Sequence, residues 1–161
     1  MSIATRLILA AILSTGGAHA AEEPKVFRIK PVRPVAELER EAAVKAVPKQ
    51  LAQGLEKPEL VSLGATDARI RLDIRYANDR NFLGTPIYDR PRAYMQKDAA
   101  AALKRALDAL WAQGYGLLIH DAYRPWRVTW IFWEATPRDK RDFVADPAKG
   151  FYLVAESAGE V

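Results

Sequence analysis

The chain has 161 residues, a formal net charge of +4, 50% hydrophobic residues, no cysteine and two histidines. That length suits one domain able to bury a sizeable core, and the composition is globular rather than disordered. It excludes disulfides, thiolate metal sites, a cysteine nucleophile and a lipidated cysteine, and so small a charge falls short of the clustered positive stripe of a nucleic-acid binder.

Residues 1–20 have the outline of a secretory signal peptide: Arg6, an unbroken apolar run over 7–13, and Ala18-His19-Ala20 as a small-residue cleavage site. Export to the periplasm or cell envelope is therefore expected, an uncleaved anchor being the other reading. The run is too short to cross a bilayer, and no later segment reaches the ~20 apolar residues that a span needs. Cleavage after Ala20 removes His19 and leaves His120 as the one histidine.

Residues 21–59 form a proline-punctuated extension, with Pro24, Pro31, Pro34, Pro48 and Pro58 favouring extended or turn backbone. A helix is predicted over 35–46, where Glu37, Glu39 and Glu41 come early and Lys45 late, as the helix dipole favours. Its apolar face is thin, so it is expected to lie on the surface or stay mobile.

The domain proper is expected over 60–150. Residues 69–76 alternate strictly, Ile70, Leu72, Ile74 and Tyr76 against Arg69, Arg71, Asp73 and Arg75, which predicts a strand with one buried face. A loop follows over 78–89, turned by Gly84 and Pro86. Residues 97–113 carry Leu103, Leu107, Leu110 and Trp111 at helical spacing, with Gly114 as the stop. The apolar run 116–120 predicts a buried strand, residues 121–124 a turn, and Pro125 the first position of a helix through Glu134. Thr136, three residues before Asp139, is expected to cap a further helix. The fold class is thus α+β, a small mixed or antiparallel sheet with packed helices. Residues 151–161 stand apart as a divergent tail.

The stretch Asp121-Ala122-Tyr123-Arg124-Pro125 lies at a strand–helix junction, where a scaffold presents side chains to a cleft. Arg124 offers a planar fork of donors to a carboxylate or developing oxyanion, and Asp121 is placed to orient it. An ordinary structural ion pair accounts for the same spacing. Trp126, Trp130 and Trp133 share one helix face, as a core stripe or as a platform for a saccharide or peptide. Arg69, Arg71, Arg75, Arg80, Arg90 and Arg92 read as a solvated basic face, the alternative being contact with anionic cell-wall polymer.

Arg75-Tyr76-Ala77, Asn81-Phe82-Leu83-Gly84, the helix ending Gln113-Gly114-Tyr115-Gly116-Leu117-Leu118, and Asp121-Ala122-Tyr123-Arg124-Pro125 occur in this order. Together they resemble the D-alanyl-D-alanine dipeptidases of the VanX type, over about residues 60–150. The resemblance implies hydrolysis of D-alanyl-D-alanine by zinc-activated water in cell-wall metabolism. It makes Arg124 the group that stabilises the tetrahedral transition state and Asp121 its support. It also implies zinc ligands on Ser-x-His-x-x-Gly-x-x-x-Asp and on a later Glu-x-x-His, whose Glu is the general base. Residues 151–161 hold neither pattern. No metal ligand is therefore assigned in this chain, which is expected to be a shortened and inactive form. The alternatives are a non-catalytic envelope module binding D-Ala-terminated peptides, or a relic. His120, just before the arginine motif, is expected to be a strand-end or core histidine. Without the remaining half, an open sheet edge and a partly uncovered tryptophan face are expected.

Overall fold

The protein is described by a computed structural model covering residues 26–52 and 58–149. The signal peptide read at 1–20 and the tail at 151–161 lie outside the described residues. In chain order the elements are α1 (Val35–Val44), α2 (Lys49–Ala52), β1 (Leu60–Ser62), α3 (Leu63–Thr66), β2 (Ile70–Leu72), a 3-10 turn (Arg75–Ala77), β3 (Tyr94–Gln96), α4 (Lys97–Trp111), β4 (Leu117–Ile119), α5 (Trp126–Ala135) and a second 3-10 segment (Arg138–Phe143). The α+β class holds, with two small sheets. β1 and β3 pair antiparallel, with Leu60 opposite Gln96, and β2 and β4 pair parallel, with Ile70 opposite Leu117. A parallel pair needs a long crossover, and α4 lies within it.

The alternation in 69–76 is real but its regular strand is short. Ile70 and Ile74 are buried, as the period requires. Only three residues pair in regular register, and the ladder runs on through Asp73 N to Ile119 O and Arg75 N to His120 O before the chain coils into the 3-10 turn. In α4, Ala100 and Leu107 are buried, whereas Trp111 is 53% exposed and lies under the Arg69 guanidinium rather than in the core. The helix stops as expected: Gly114 takes φ +82°, and Tyr115 N donates to Leu110 O at 3.0 Å. β4 is less buried than its apolar run suggests. Among the described strands it pairs with β2 alone, and Leu118 is 53% exposed.

One expectation is overturned around α5. Seven of its ten residues are buried, Trp126 and Trp130 among them, so the helix is apolar nearly all round and needs cover on more than one side. Helix α1 supplies part of it. Leu38 and Ala42 are buried in the same cluster as Trp126, Trp130 and Ile131, so α1 is a core helix rather than a surface one. Its thin face suffices because two small-to-medium apolar residues, one turn apart, meet a partner rich in large ones. The tryptophan face is closed at Trp126 and Trp130 and partly open at Trp133. Lys45 Nζ lies 4.6 Å from the Trp130 ring centroid, and Trp126 Nε1 donates to Pro147 O at 2.9 Å. Trp133, half-buried, is faced by the Arg141 guanidinium.

Thr136 caps nothing downstream. It ends α5, its Oγ1 donating to Phe132 O at 2.7 Å, while Pro137 precedes the 3-10 segment. Pro125 likewise sits one residue before α5 rather than inside it.

Leu38 is fully buried, so Leu38→Ala should cost about 2–4 kcal/mol, read as a lowered urea midpoint with unchanged slope. An unaltered midpoint would mean that α1 is not docked on α5.

Candidate functional site

The site is built where β4 hands over to α5. The corner is held to β3 by Tyr123 N donating to Tyr94 O at 2.7 Å, and Pro125, at φ −58°, leads directly into helix. Between them Asp121 and Arg124 meet as an ion pair, Nη2 to Oδ2 at 2.5 Å, with side chains 25% and 30% exposed. Both residues singled out in the motif are therefore brought together.

Aromatic rings complete the setting of Arg124. Its guanidinium carbon lies 4.9 Å from the Phe132 centroid and 5.2 Å from that of Tyr76. Phe132 stands on α5 two turns beyond Arg124, and Tyr76 comes from the first 3-10 turn. Phe82 packs edge-on to Phe132 at 5.1 Å. The loop presenting Phe82 is fixed by the buried Asn81, whose Nδ2 donates to Asn78 O and Thr85 O and whose Oδ1 accepts from Leu83 N. Gly84 closes that turn at φ +69°, a conformation that suits glycine. Nothing in local spacing marks Tyr76, Phe82 and Phe132 as neighbours of Arg124, since three separate segments carry them. The signal available was Arg75-Tyr76-Ala77 and Asn81-Phe82 among the motifs themselves.

The rings and Arg124 border a pocket of about 330 Å³, also lined by Phe27, Ile29, Lys140 and Phe143. Burial works against the guanidinium charge, but the Asp121 carboxylate more than offsets it, and the Arg124 pKa is raised. Arg124 Nε and Asp121 Oδ1 are buried without a hydrogen-bond partner. Chemically, this is a preorganised cation at an apolar pocket, with donor capacity to spare for an anionic or carbonyl oxygen.

His120 is not in this pocket. It ends β4 and is exposed, with Nδ1 3.3 Å from Asp73 Oδ2, a carboxylate that also pairs with Arg75 and Arg80. It is a strand-end histidine, not a core one. Arg69 similarly pairs with Asp67 and Asp108, so three members of the basic run are engaged in surface ion pairs. Zinc, implied by the resemblance, requires about three nitrogen, sulfur or oxygen donors around one point. Among the described residues no three His, Cys, Asp or Glu converge, and the carboxylate nearest His120 is already held by two guanidinium groups. The described residues do not fit zinc.

Tyr76 and Tyr88 both border the ion pair, and burial raises the pKa of each, for Tyr88 strongly. The Tyr88 hydroxyl is buried beside the Arg124 guanidinium. Because the folded state holds these phenols above the unfolded value of about 10, it binds more protons than the unfolded chain at alkaline pH. Stability should be fully present below pH ~10 and fall as pH rises further. Tyr88→Phe should flatten that fall in alkaline denaturation curves at little cost at pH 7; an unchanged slope would show Tyr88 to be solvated.

Residues 56–157, more than half of the chain, match the family model described as D-ala-D-ala dipeptidase. The chain is 34% identical over 79 residues to the D-alanyl-D-alanine dipeptidase of Escherichia coli, covering 49% of this chain and 41% of that protein. It is 38% identical over 74 residues to that of Enterococcus faecium (44% and 37%) and 41% identical over 76 residues to that of Streptomyces coelicolor (45% and 38%). It thus spans about two fifths of the length of these curated relatives. With the matched residues running through the Arg124 corner, the chain belongs to the D-ala-D-ala dipeptidase family, a family of zinc metallopeptidases.

Proposed function

We propose that this chain carries the oxyanion-holding part of a D-alanyl-D-alanine dipeptidase site, in which Arg124 holds the peptide carbonyl or carboxylate and Asp121 fixes the guanidinium. The observation that supports this most is the burial of Arg124 at the wall of a pocket, ion-paired to Asp121 and lying against Tyr76 and Phe132. A purely structural ion pair has no need of an adjoining cavity.

Zinc-dependent hydrolysis belongs to this reading only with donors from beyond the described residues. The sequence offers two histidines and no cysteine, and a bound zinc would serve to lower the pKa of water toward about 7. On the described residues alone, the reading is of a module that binds D-Ala-terminated peptides without hydrolysing them. Its place is the cell envelope, reached by export with cleavage after Ala20, on the evidence of the apolar run and Ala18-His19-Ala20. Among the described residues no helix is long and apolar enough to cross a membrane.

Residues 21–161 with added zinc should release no D-alanine from D-alanyl-D-alanine over hours, yet bind the dipeptide, and Arg124→Ala should weaken that binding at least about tenfold. Zinc-dependent turnover lost in Arg124→Ala would overturn inactivity; binding indifferent to Arg124→Ala would overturn the site. N-terminal sequencing of the exported product should begin at Ala21, and a retained Met1 would count against export.

A further inference from the structure

The walls of the Arg124 pocket are richer in apolar surface than a dipeptide of alanines uses. Phe27, Ile29, Phe82, Phe132 and Phe143 line its 330 Å³, whereas alanine offers one methyl group per residue. Phe27 and Phe143 stand at the rim, 56% and 78% exposed, with ring centroids 6.0 Å apart. Exposed rings facing a cavity are apolar area still available to a ligand. The charge pattern is equally one-sided: Arg124, held by Asp121 behind it, and Lys140 line the pocket, and among the described residues no carboxylate does. An apolar cavity with two cations on its wall complements an anion with an apolar body.

Part of this wall comes from outside the family match. Phe27 and Ile29 precede residue 56, where the match begins. They are strapped in place, Ile29 N donating to Phe82 O at 2.9 Å and Arg28 Nη2 to Asp79 O at 3.1 Å. The segment therefore reshapes the pocket from one side while leaving the Arg124 corner intact.

We infer that this pocket selects peptides whose carboxyl-terminal residue bears a large apolar side chain, with Lys140 on the terminal carboxylate and Phe27 and Phe143 enclosing the side chain. The inference rests on the reading of Arg124 as the ligand-holding group. Phe27 is a specificity element, and Lys140 a second anchor.

Calorimetric titration of the full chain with D-Ala-D-Ala, D-Ala-D-Phe and D-Ala-D-phenylalaninamide tests it. D-Ala-D-Phe should bind at least about tenfold tighter than D-Ala-D-Ala, and the amide should lose about tenfold relative to the acid. Phe27→Ala should erase the preference for D-Ala-D-Phe over D-Ala-D-Ala. Lys140→Met should weaken both acids and leave the amide unmoved. Circular dichroism checks that each variant folds, which the exposure of Phe27 favours. Equal affinities for the two acids, or a preference that survives Phe27→Ala together with Phe143→Ala, would overturn the inference. Arg124-dependent binding of D-Ala-D-Ala without any preference sinks the inference alone; if no dipeptide binds, the underlying site reading falls with it.

Discussion

A guanidinium placed among aromatic rings is the constraint around which the site is arranged. Burying an unpaired cation is costly, and the cost is tolerable here because Asp121 supplies the opposite charge and two ring faces supply a favourable quadrupole. Each of these conditions demands something of the fold. The Asp121 pair requires a turn of fixed shape between β4 and α5, which the Tyr123–Tyr94 backbone bond and Pro125 secure. The ring faces require α5 to be oriented so that Phe132 points at the corner, and the 3-10 turn to break off the β2 ladder at Tyr76. Removing Asp121 would leave a buried charge uncompensated, a larger penalty than the pair's own net contribution.

The same demand explains why the segment before residue 56 is tied into the domain. Helix α5 cannot be amphipathic in the ordinary sense: one side must meet the pocket, and the rest carries Trp126, Trp130 and Ile131 into the core. Helix α1 and the strap at Ile29 and Val32 cover it, the latter donating from Val32 N to Ala135 O at 3.0 Å. Fixing the position of α5 fixes Phe132, and so the surroundings of Arg124. Cover at one end of the chain thereby acts on the geometry of the site at the other.

What was legible in sequence follows the range of the interaction responsible. The alternation of Ile70 and Ile74, the stop at Gly114 and the turn at Asp121 to Arg124 are local, and each emerged where spacing placed it. The burial of α1 was not legible, because its own periodicity is weak and its docking depends on the apolar excess of a helix some 90 positions later (Leu38 against Ile131, for instance). Trp111 misled for the converse reason: it has the right spacing for the core, but the Arg69 cation offers its ring a favourable place at the surface. Thr136 has the chemistry of a cap, yet its hydroxyl turns back to Phe132 O, a bond always within reach of a threonine at a helix end. The pairing of Asp121 with Arg124 could be anticipated, whereas the rings around it, drawn from three segments, could not.

Without an attacking group, a clamp acts on binding rather than on rate. An interaction accelerates a reaction only insofar as it is stronger in the transition state than in the ground state. Arg124 meets that condition in principle, since the negative charge on a tetrahedral oxygen exceeds that on a peptide carbonyl, and a low-dielectric pocket magnifies the difference. Yet the difference is expressed only if a nucleophile arrives. Where no water is activated, the same cation contributes to ground-state affinity, and it does so most for ligands already bearing a full negative charge. A pocket with Arg124 and Lys140 on its wall, and no acid among the described lining residues, therefore favours a carboxylate over a neutral peptide carbonyl. Its natural bias is toward chain ends. That bias would serve a dipeptidase when zinc and a base are present, and a binding protein when they are not.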